Sequence, residues 1–142
     1  MNIAYFLKPK HSVAYLYEDN TMRQGLEKLR HHGYTAVPVI TRQGQYVGTV
    51  SEGDFLWHLL PERDAPCPCS LKDLERLRVR DLVKPAPPVR ITASLKELME
   101  SATQQNFVPV VDDLNSFIGI VTRRDVISCL LEEHNLPLRK IV

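Results

Sequence analysis

The sequence contains its own second copy. Residues 36–40, Ala-Val-Pro-Val-Ile, are matched by residues 107–111, Phe-Val-Pro-Val-Val. Residues 48–54, Gly-Thr-Val-Ser-Glu-Gly-Asp, are matched by 119–125, Gly-Ile-Val-Thr-Arg-Arg-Asp. The separation is 71 positions from Pro38 to Pro109, from Gly48 to Gly119 and from Asp54 to Asp125. It continues downstream, where Phe55, Leu56, Leu59 and Leu60 fall on Val126, Ile127, Leu130 and Leu131. A register held this long means one supersecondary unit built twice. Upstream the separation is 76, with Leu7-Lys8-Pro9 and Val13 matched to Val83-Lys84-Pro85 and Val89. The change of register places extra residues in the first copy, around 17–20 and 31–33.

Each copy reads as β-α-β-β-α. A lead-in turn precedes a strand, at 13–17 and at 89–91. A helix follows, opened by Thr21 or Ser94, whose hydroxyl can accept an unpaired backbone N–H. Glu97, three residues after Ser94, completes a capping-box pattern. Met22, Leu26 and Leu29, and Leu95, Leu98, Met99 and Ala102, recur at helical spacing and are read as core. Strands at 36–40 and 46–50, and at 107–111 and 117–121, are joined as hairpins by polar turns. The second helix starts at Ser51 or Thr122. One unit of about 50 residues buries little core alone. An α+β pair of repeats packed sheet to sheet is therefore expected. The boundaries are repeat 1 over 1–62, a Pro-rich linker over 63–78, repeat 2 over 79–135 and a tail over 136–142. The linker is expected to hold a short helix at 71–77, capped by Ser70.

Composition narrows the function. Hydrophobic residues are 44% of the 142 and charged residues 25%, a globular balance. No apolar run approaches the roughly 20 residues of a membrane helix. The N-terminal stretch has neither a basic n-region nor a cleavage site, so no signal peptide is read and a cytoplasmic location is expected. A net charge of +1 argues against nucleic acid as a partner. Three cysteines without a secretory signal imply free thiols. Cys67-Pro68-Cys69 is too tight for the usual zinc spacing, so no metal is assigned. No phosphate loop, dinucleotide fingerprint, His-Glu-x-x-His or nucleophile elbow is present. His58 and Cys129 are equivalent positions with no third group to orient them, and the chain is not expected to be an enzyme.

The motif words are Val37-Pro38-Val39 with Gly48 to Asp54, and Val108-Pro109-Val110 with Gly119 to Asp125. They resemble those of the CBS domain: an apolar-Pro-Val strand, then Gly-apolar-apolar-Ser/Thr-x-x-Asp where the next strand ends. Thr49 departs from that pattern, standing where the family keeps an apolar residue. The paired arrangement is similar to a Bateman module and to stand-alone bacterial two-CBS proteins, including those that bind cyclic di-AMP. The resemblance covers nearly the whole chain. It implies a regulatory module without a cofactor. Such a module would bind an adenine nucleotide (AMP, ADP, ATP or cyclic di-AMP) in the cleft between the repeats and signal to a regulated protein by changing conformation. Family members usually pair, which implies a homodimer through helices at 55–60 and 126–131.

The chemistry of Ser/Thr-x-x-Asp suits that implication. Ser51 and Thr122 stand at helix starts, where unpaired N–H groups and a partial positive charge favour phosphate. Asp54 and Asp125 follow one turn later, and a carboxylate has acceptor capacity for both ribose hydroxyls. The same residues also read as plain capping boxes. Arg123 and Arg124 oppose the helix dipole unless an anion is near or their side chains swing into solvent, and arginine suits phosphate. The first copy has Glu52 and Gly53 there, so its site is expected to be the weaker. The resemblance places the base near Tyr34, Thr35 and Ala36 or near Asn106 and Phe107, with Tyr15 and Ile91 on the first strands. Core packing is the other reading of Phe107, and satisfying terminal carbonyls the ordinary one of His31-His32. Two alternatives stay open: a dimeric interaction module with empty clefts, and a metal sensor using Cys67, Cys69 and a histidine.

Overall fold

The structure, a computed structural model, describes residues 2–59 and 71–135. The elements in the first half are α1 (Ile3–Phe6), β1 (Lys8–Pro9), a 3-10 turn (Lys10–Ser12), β2 (Leu16–Tyr17), α2 (Met22–His32), β3 (Ala36–Ile40), β4 (Tyr46–Ser51) and α3 (Glu52–Leu59). There follow α4 (Leu71–Arg76), a 3-10 turn (Val79–Asp81), β5 (Val89–Arg90), α5 (Leu95–Gln104), β6 (Phe107–Val111), β7 (Phe117–Thr122) and α6 (Arg123–Glu133). One sheet has the order β1-β7-β6-β5 and the other β2-β3-β4. The helix expected at 71–77 is α4 (Leu71–Arg76); its expected cap Ser70, the first half of the linker and the tail lie outside the described residues.

Each compact unit combines one copy with the lead-in of the other. One unit joins the residues up to Val13 to those from Pro87 onward, and the other is Ala14–Ala86. The lead-ins cause the exchange. In the unit holding the second copy, β1 runs antiparallel to β7, with Lys8 opposite Ile120 and Pro9 opposite Gly119. In the unit holding the first copy, Thr49 and Lys84 exchange both backbone hydrogen bonds, at 3.0 and 2.8 Å. Lys84 is the sequence counterpart of Lys8, and Thr49 that of Ile120. This explains the repeated glycine of the motif. A Cβ on Gly119 would run into the carbonyl of Lys8, and one on Gly48 into that of Lys84.

Each lead-in also fills a core. Ile3 and Phe6 are buried with Val89, Leu98, Val108, Val110, Val121 and Val126. Val79 and Leu82 are buried with Leu16, Met22, Leu29, Val37, Val50 and Phe55. The helix positions expected in the core are there: Met22, Leu29, Leu98 and Ala102 are buried, with Leu26, Leu95 and Met99 packed against them.

The register across the first strands is corrected. Leu16 lies opposite Val39 in one parallel pair and Val89 opposite Val110 in the other. Val39 and Val110 are counterparts, so Leu16, not Val13, is the partner position of Val89, and the separation there is 73. Glu18 and Ile91 donate their N–H groups to the counterpart carbonyls of Ile40 and Val111, which fixes the same register. The extra residues of the first copy thus lie in the 3-10 turn Lys10–Ser12 rather than around 17–20. The strands expected at 13–17 and 89–91 shrink to Leu16–Tyr17 and Val89–Arg90. Thr49 is half-buried at an outward position of β4, where a hydroxyl costs little. Among the described residues no helix is long and apolar enough to cross a membrane.

Candidate functional site

In the unit holding the second copy, Thr122 ends β7 and caps α6, its Oγ1 accepting the Asp125 N–H at 3.2 Å. Phe107 lies opposite Thr122 in the β6–β7 ladder, and the Asn106 carbonyl accepts the Arg123 N–H at 2.9 Å. Pairing therefore gathers Asn106, Phe107, Thr122 and Asp125 at one end of the sheet. Ile91 bonds to Val111 at the far end of β6 and packs on the core, so it is separated from them. The Asp125 side chain is 38% exposed, and its Oδ2 lies 3.7 Å from Lys8 Nζ. It borders a surface hollow of about 260 Å3 shared with Tyr5, Phe6, Ser128 and Glu132. Sequence reasoning missed Lys8 as a site residue. Its signal was the repeated apolar-Lys-Pro of the lead-ins.

Arg123 has other work than the phosphate contact expected of it. Its Nε donates to the Ala102 carbonyl at 2.7 Å and its Nη2 to that of Thr103 at 3.5 Å, in the last turn of α5. Carbonyls at a helix end lack intrahelical donors and favour a cation. The first copy solves the same problem with backbone. The Leu29 carbonyl, counterpart of Ala102, accepts the N–H of Gly33 at 2.8 Å and that of Tyr34 at 3.2 Å, with Gly33 left-handed at φ 69°. The second copy lacks those turn residues and substitutes the arginine. Glu52, the counterpart of Arg123, has no such helix end to serve. Arg124 is exposed on α6.

In the unit holding the first copy, Ser51 and Asp54 form a reciprocal cap. Asp54 Oδ2 accepts the Ser51 N–H at 2.8 Å and the Ser51 hydroxyl at 3.0 Å, while Ser51 Oγ accepts the Asp54 N–H at 3.3 Å. The capping reading of this pair thus describes its bonds in the structure. Ala36 lies opposite Ser51, and the Thr35 carbonyl accepts the Glu52 N–H at 2.8 Å, so these residues do converge. Tyr34 is exposed and stacks on His32, with centroids 5.4 Å apart and planes 5° from parallel. Tyr15 is not the counterpart of Ile91 under the corrected register. Its ring sits under Lys28 Nζ at 5.0 Å and against Tyr17 at 5.7 Å. Burial, together with a hydrogen bond and charge from Tyr17, raises its phenol above the ordinary range.

Burial and the nearby Glu133 and Glu132 carboxylates push the Cys129 thiol up, away from a reactive thiolate. Among the described residues no three His, Cys, Asp or Glu side chains come together as metal ligands. Cys67 and Cys69 lie outside them.

A CBS-domain family model matches residues 6–61 and 79–132, so the chain belongs to the CBS-domain family and carries two copies of the domain. Similar solved structures include CbpB of Listeria monocytogenes in complex with c-di-AMP, 25% identical with TM-score 0.82 over 95% of this chain and 98% of that one. CBSX2 in complex with AMP is 25% identical with TM-score 0.71, over 94% and 98%. Among curated relatives, an uncharacterised protein of Methanocaldococcus jannaschii is 26% identical, with 82% of this chain and 84% of that protein aligned. The A-adding tRNA nucleotidyltransferase of Aquifex aeolicus is 27% identical over 83% of this chain, but only 13% of the enzyme's length is matched.

Proposed function

We propose that this chain is a regulatory sensor of an adenine nucleotide, and that its principal ligand contacts are made around Thr122 and Asp125. One observation carries the reading: the Asp125 carboxylate stands at a helix start, half-exposed, 3.7 Å from Lys8 and beside an open hollow. A carboxylate for ribose hydroxyls and a cation for phosphate are thereby held on one surface. Phe107 and Arg124 complete the proposed contacts; Arg123 is withdrawn from them because it caps α5. The complexes of CbpB with c-di-AMP and of CBSX2 with AMP support the ligand class. Signalling follows if the ligand favours one arrangement of the module over another. No reaction is assigned to the chain, and the cytoplasm is the compartment where such a ligand would meet it.

A thermal-shift panel of AMP, ADP, ATP and cyclic di-AMP tests the reading. Ligand at 100 times its Kd adds about 2.7 kcal/mol of stability. A shift that Asp125→Ala abolishes supports the proposal, and no shift with any of the four at millimolar concentration rejects it.

A second reading is a dimeric interaction module with empty clefts. Leu56 and Ile127, counterparts on α3 and α6, are 57% and 47% exposed, which suits pairing between copies. Sedimentation of Asp125→Ala separates the two: a dimer that persists while nucleotide binding is lost favours the sensor.

A further inference from the structure

Packing of α5 against α6 leaves an apolar hollow that neither reading above uses. It measures about 60 Å3, and its lining includes Phe6, Leu95, Met99, Cys129, Leu130 and Glu133. The hollow beside Asp125 measures about 260 Å3. The smaller space suits the end of an aliphatic side chain, not a nucleotide. Leu95, Met99, Cys129 and Leu130 pack on the core but stay partly open. The end of α6 turns the chain back toward them. Asn135 is left-handed, with φ 54°, and its N–H donates to the Glu132 carbonyl at 3.1 Å. These are marks of a Schellman turn, after which the next residue commonly packs on the last apolar side chains of the helix. Here the next residue is Leu136, and those side chains are Leu131 and Leu130.

We infer that residues 136–142 dock on the α5–α6 face, with Leu136 and Leu138 closing the apolar hollow and Arg139 and Lys140 beside Glu132 and Glu133. Pro137 biases Leu136 toward extended backbone, where alternate residues share a side, so Leu136 and Leu138 face the helices together. The segment is long enough. Leu130 lies about 7.5 Å back from Asn135 along the helix axis, and three extended residues span up to about 10 Å. Its charge is complementary as well. Glu132 and Glu133 are exposed at the end of α6, and the segment brings two cations directly after its leucines. A second copy would have to match the same apolar and acidic pattern without being tethered beside it, and a tether raises effective concentration. Ile127, the α6 residue suited to pairing between copies, does not line this hollow.

Cys129, in the wall of the hollow, reports docking. With Cys67→Ser and Cys69→Ser it is the last thiol of the chain, and its reaction with 5,5′-dithiobis(2-nitrobenzoate) is timed under native conditions at several protein concentrations. Thiol reactivity follows access, so Leu136→Asp/Leu138→Asp in the full chain should speed the reaction about tenfold or more. Arg139→Glu/Lys140→Glu should speed it about twofold or more, the worth of exposed ion pairs. Hydrogen exchange of β6 and β7, expected to be unchanged, shows that the unit stays folded. Where the leucine substitutions loosen those strands, the charge-reversal pair decides instead. A rate that the deciding variant leaves unchanged would overturn the inference. So would a rate that falls as protein concentration rises and is indifferent to both pairs of substitutions, because a second copy would then be what covers the hollow.

Discussion

The ring of Phe55 occupies the place a side chain on Gly25 would need. A Cβ on that glycine would stand 3.0 Å from Phe55 Cζ, 3.2 Å from Val79 Cγ2 and 3.3 Å from Leu16 Cδ1. The second copy fills the equivalent space the other way round. Leu98 is the counterpart of Gly25 and Val126 that of Phe55, and both are buried in one core. Large and small have exchanged places between the copies.

Gly25→Ala should therefore destabilise the chain despite the better helix propensity of alanine. Overpacking typically costs about 1–3 kcal/mol, and alanine returns about 1 in a helix interior. A net loss of about 1 kcal/mol is expected in urea unfolding. Shortening the ring in Gly25→Ala/Phe55→Leu should make the double variant less damaged than the two single losses combined, by at least about 0.5 kcal/mol. Strict additivity would show that the ring does not set the limit at Gly25.

The repeat was legible because it is written in local features: hairpin strands, caps and a glycine at one fixed offset. The exchange of lead-ins was not. Leu7-Lys8-Pro9 and Val83-Lys84-Pro85 match each other, but nothing in that match says which sheet each joins. Only the backbone contacts of Gly119 with Lys8 and of Gly48 with Lys84 decide it. The misplaced register at Val13 has a similar origin. A valine matched a valine, whereas strand pairing selects the residue opposite Val39, which is Leu16. In the candidate site, Thr122 and Asp125 were legible as a helix start. The use of Arg123 depended on how another helix ends, which its own neighbours in sequence do not reveal.

Arg123→Ala and Arg124→Ala should part company. Hydrogen bonds from a charged group contribute about 1.5–3 kcal/mol, and the partial exposure of Arg123 places its loss near the lower end. Arg123→Ala should lower unfolding stability by about 1–2 kcal/mol and leave nucleotide affinity within a factor of about two. Arg124→Ala should change stability by less than about 0.5 kcal/mol, as exposed substitutions do. It should weaken nucleotide binding by about tenfold, which corresponds to ~1.4 kcal/mol. The reverse pattern would return Arg123 to the ligand.

Tyr46 predicts an alkaline limb of stability. Its hydroxyl donates to the Ala86 carbonyl at 2.7 Å, and burial raises its phenol far above the ordinary value. A folded-state pKa raised in this way favours the protonated, neutral form. Its contribution is full below the unfolded pKa of about 10 and is lost as pH rises from there toward the folded value. Tyr46→Phe should cost about 1 kcal/mol at pH 7, the worth of one neutral hydrogen bond. Above pH 10 the unmodified chain should lose up to about 1.4 kcal/mol per pH unit from this residue, a loss the variant lacks. The two stabilities should converge near pH 11. Parallel curves above pH 10 would show that Tyr46 ionises equally in both states.

Gly119→Ala should detach β1 and, with it, part of the proposed site. The new methyl group would strike the Lys8 carbonyl, which is backbone and cannot rotate away, at a residue whose φ is 156°. Steric conflict of about 1–3 kcal/mol and a similar backbone strain at a position non-glycine residues rarely adopt put the expected loss at about 2 kcal/mol or more. Hydrogen exchange should show lost protection in β1 and along β7, while β3 and β4, in the other unit, keep theirs. Lys8 reaches Asp125 only because β1 is paired there, so nucleotide affinity should fall together with that protection. Gly48→Ala should act likewise on Lys84 and leave β7 protected. A Gly119→Ala chain of full stability, with β1 still protected, would mean that the pairing of Lys8 with Ile120 does not require glycine at the next residue.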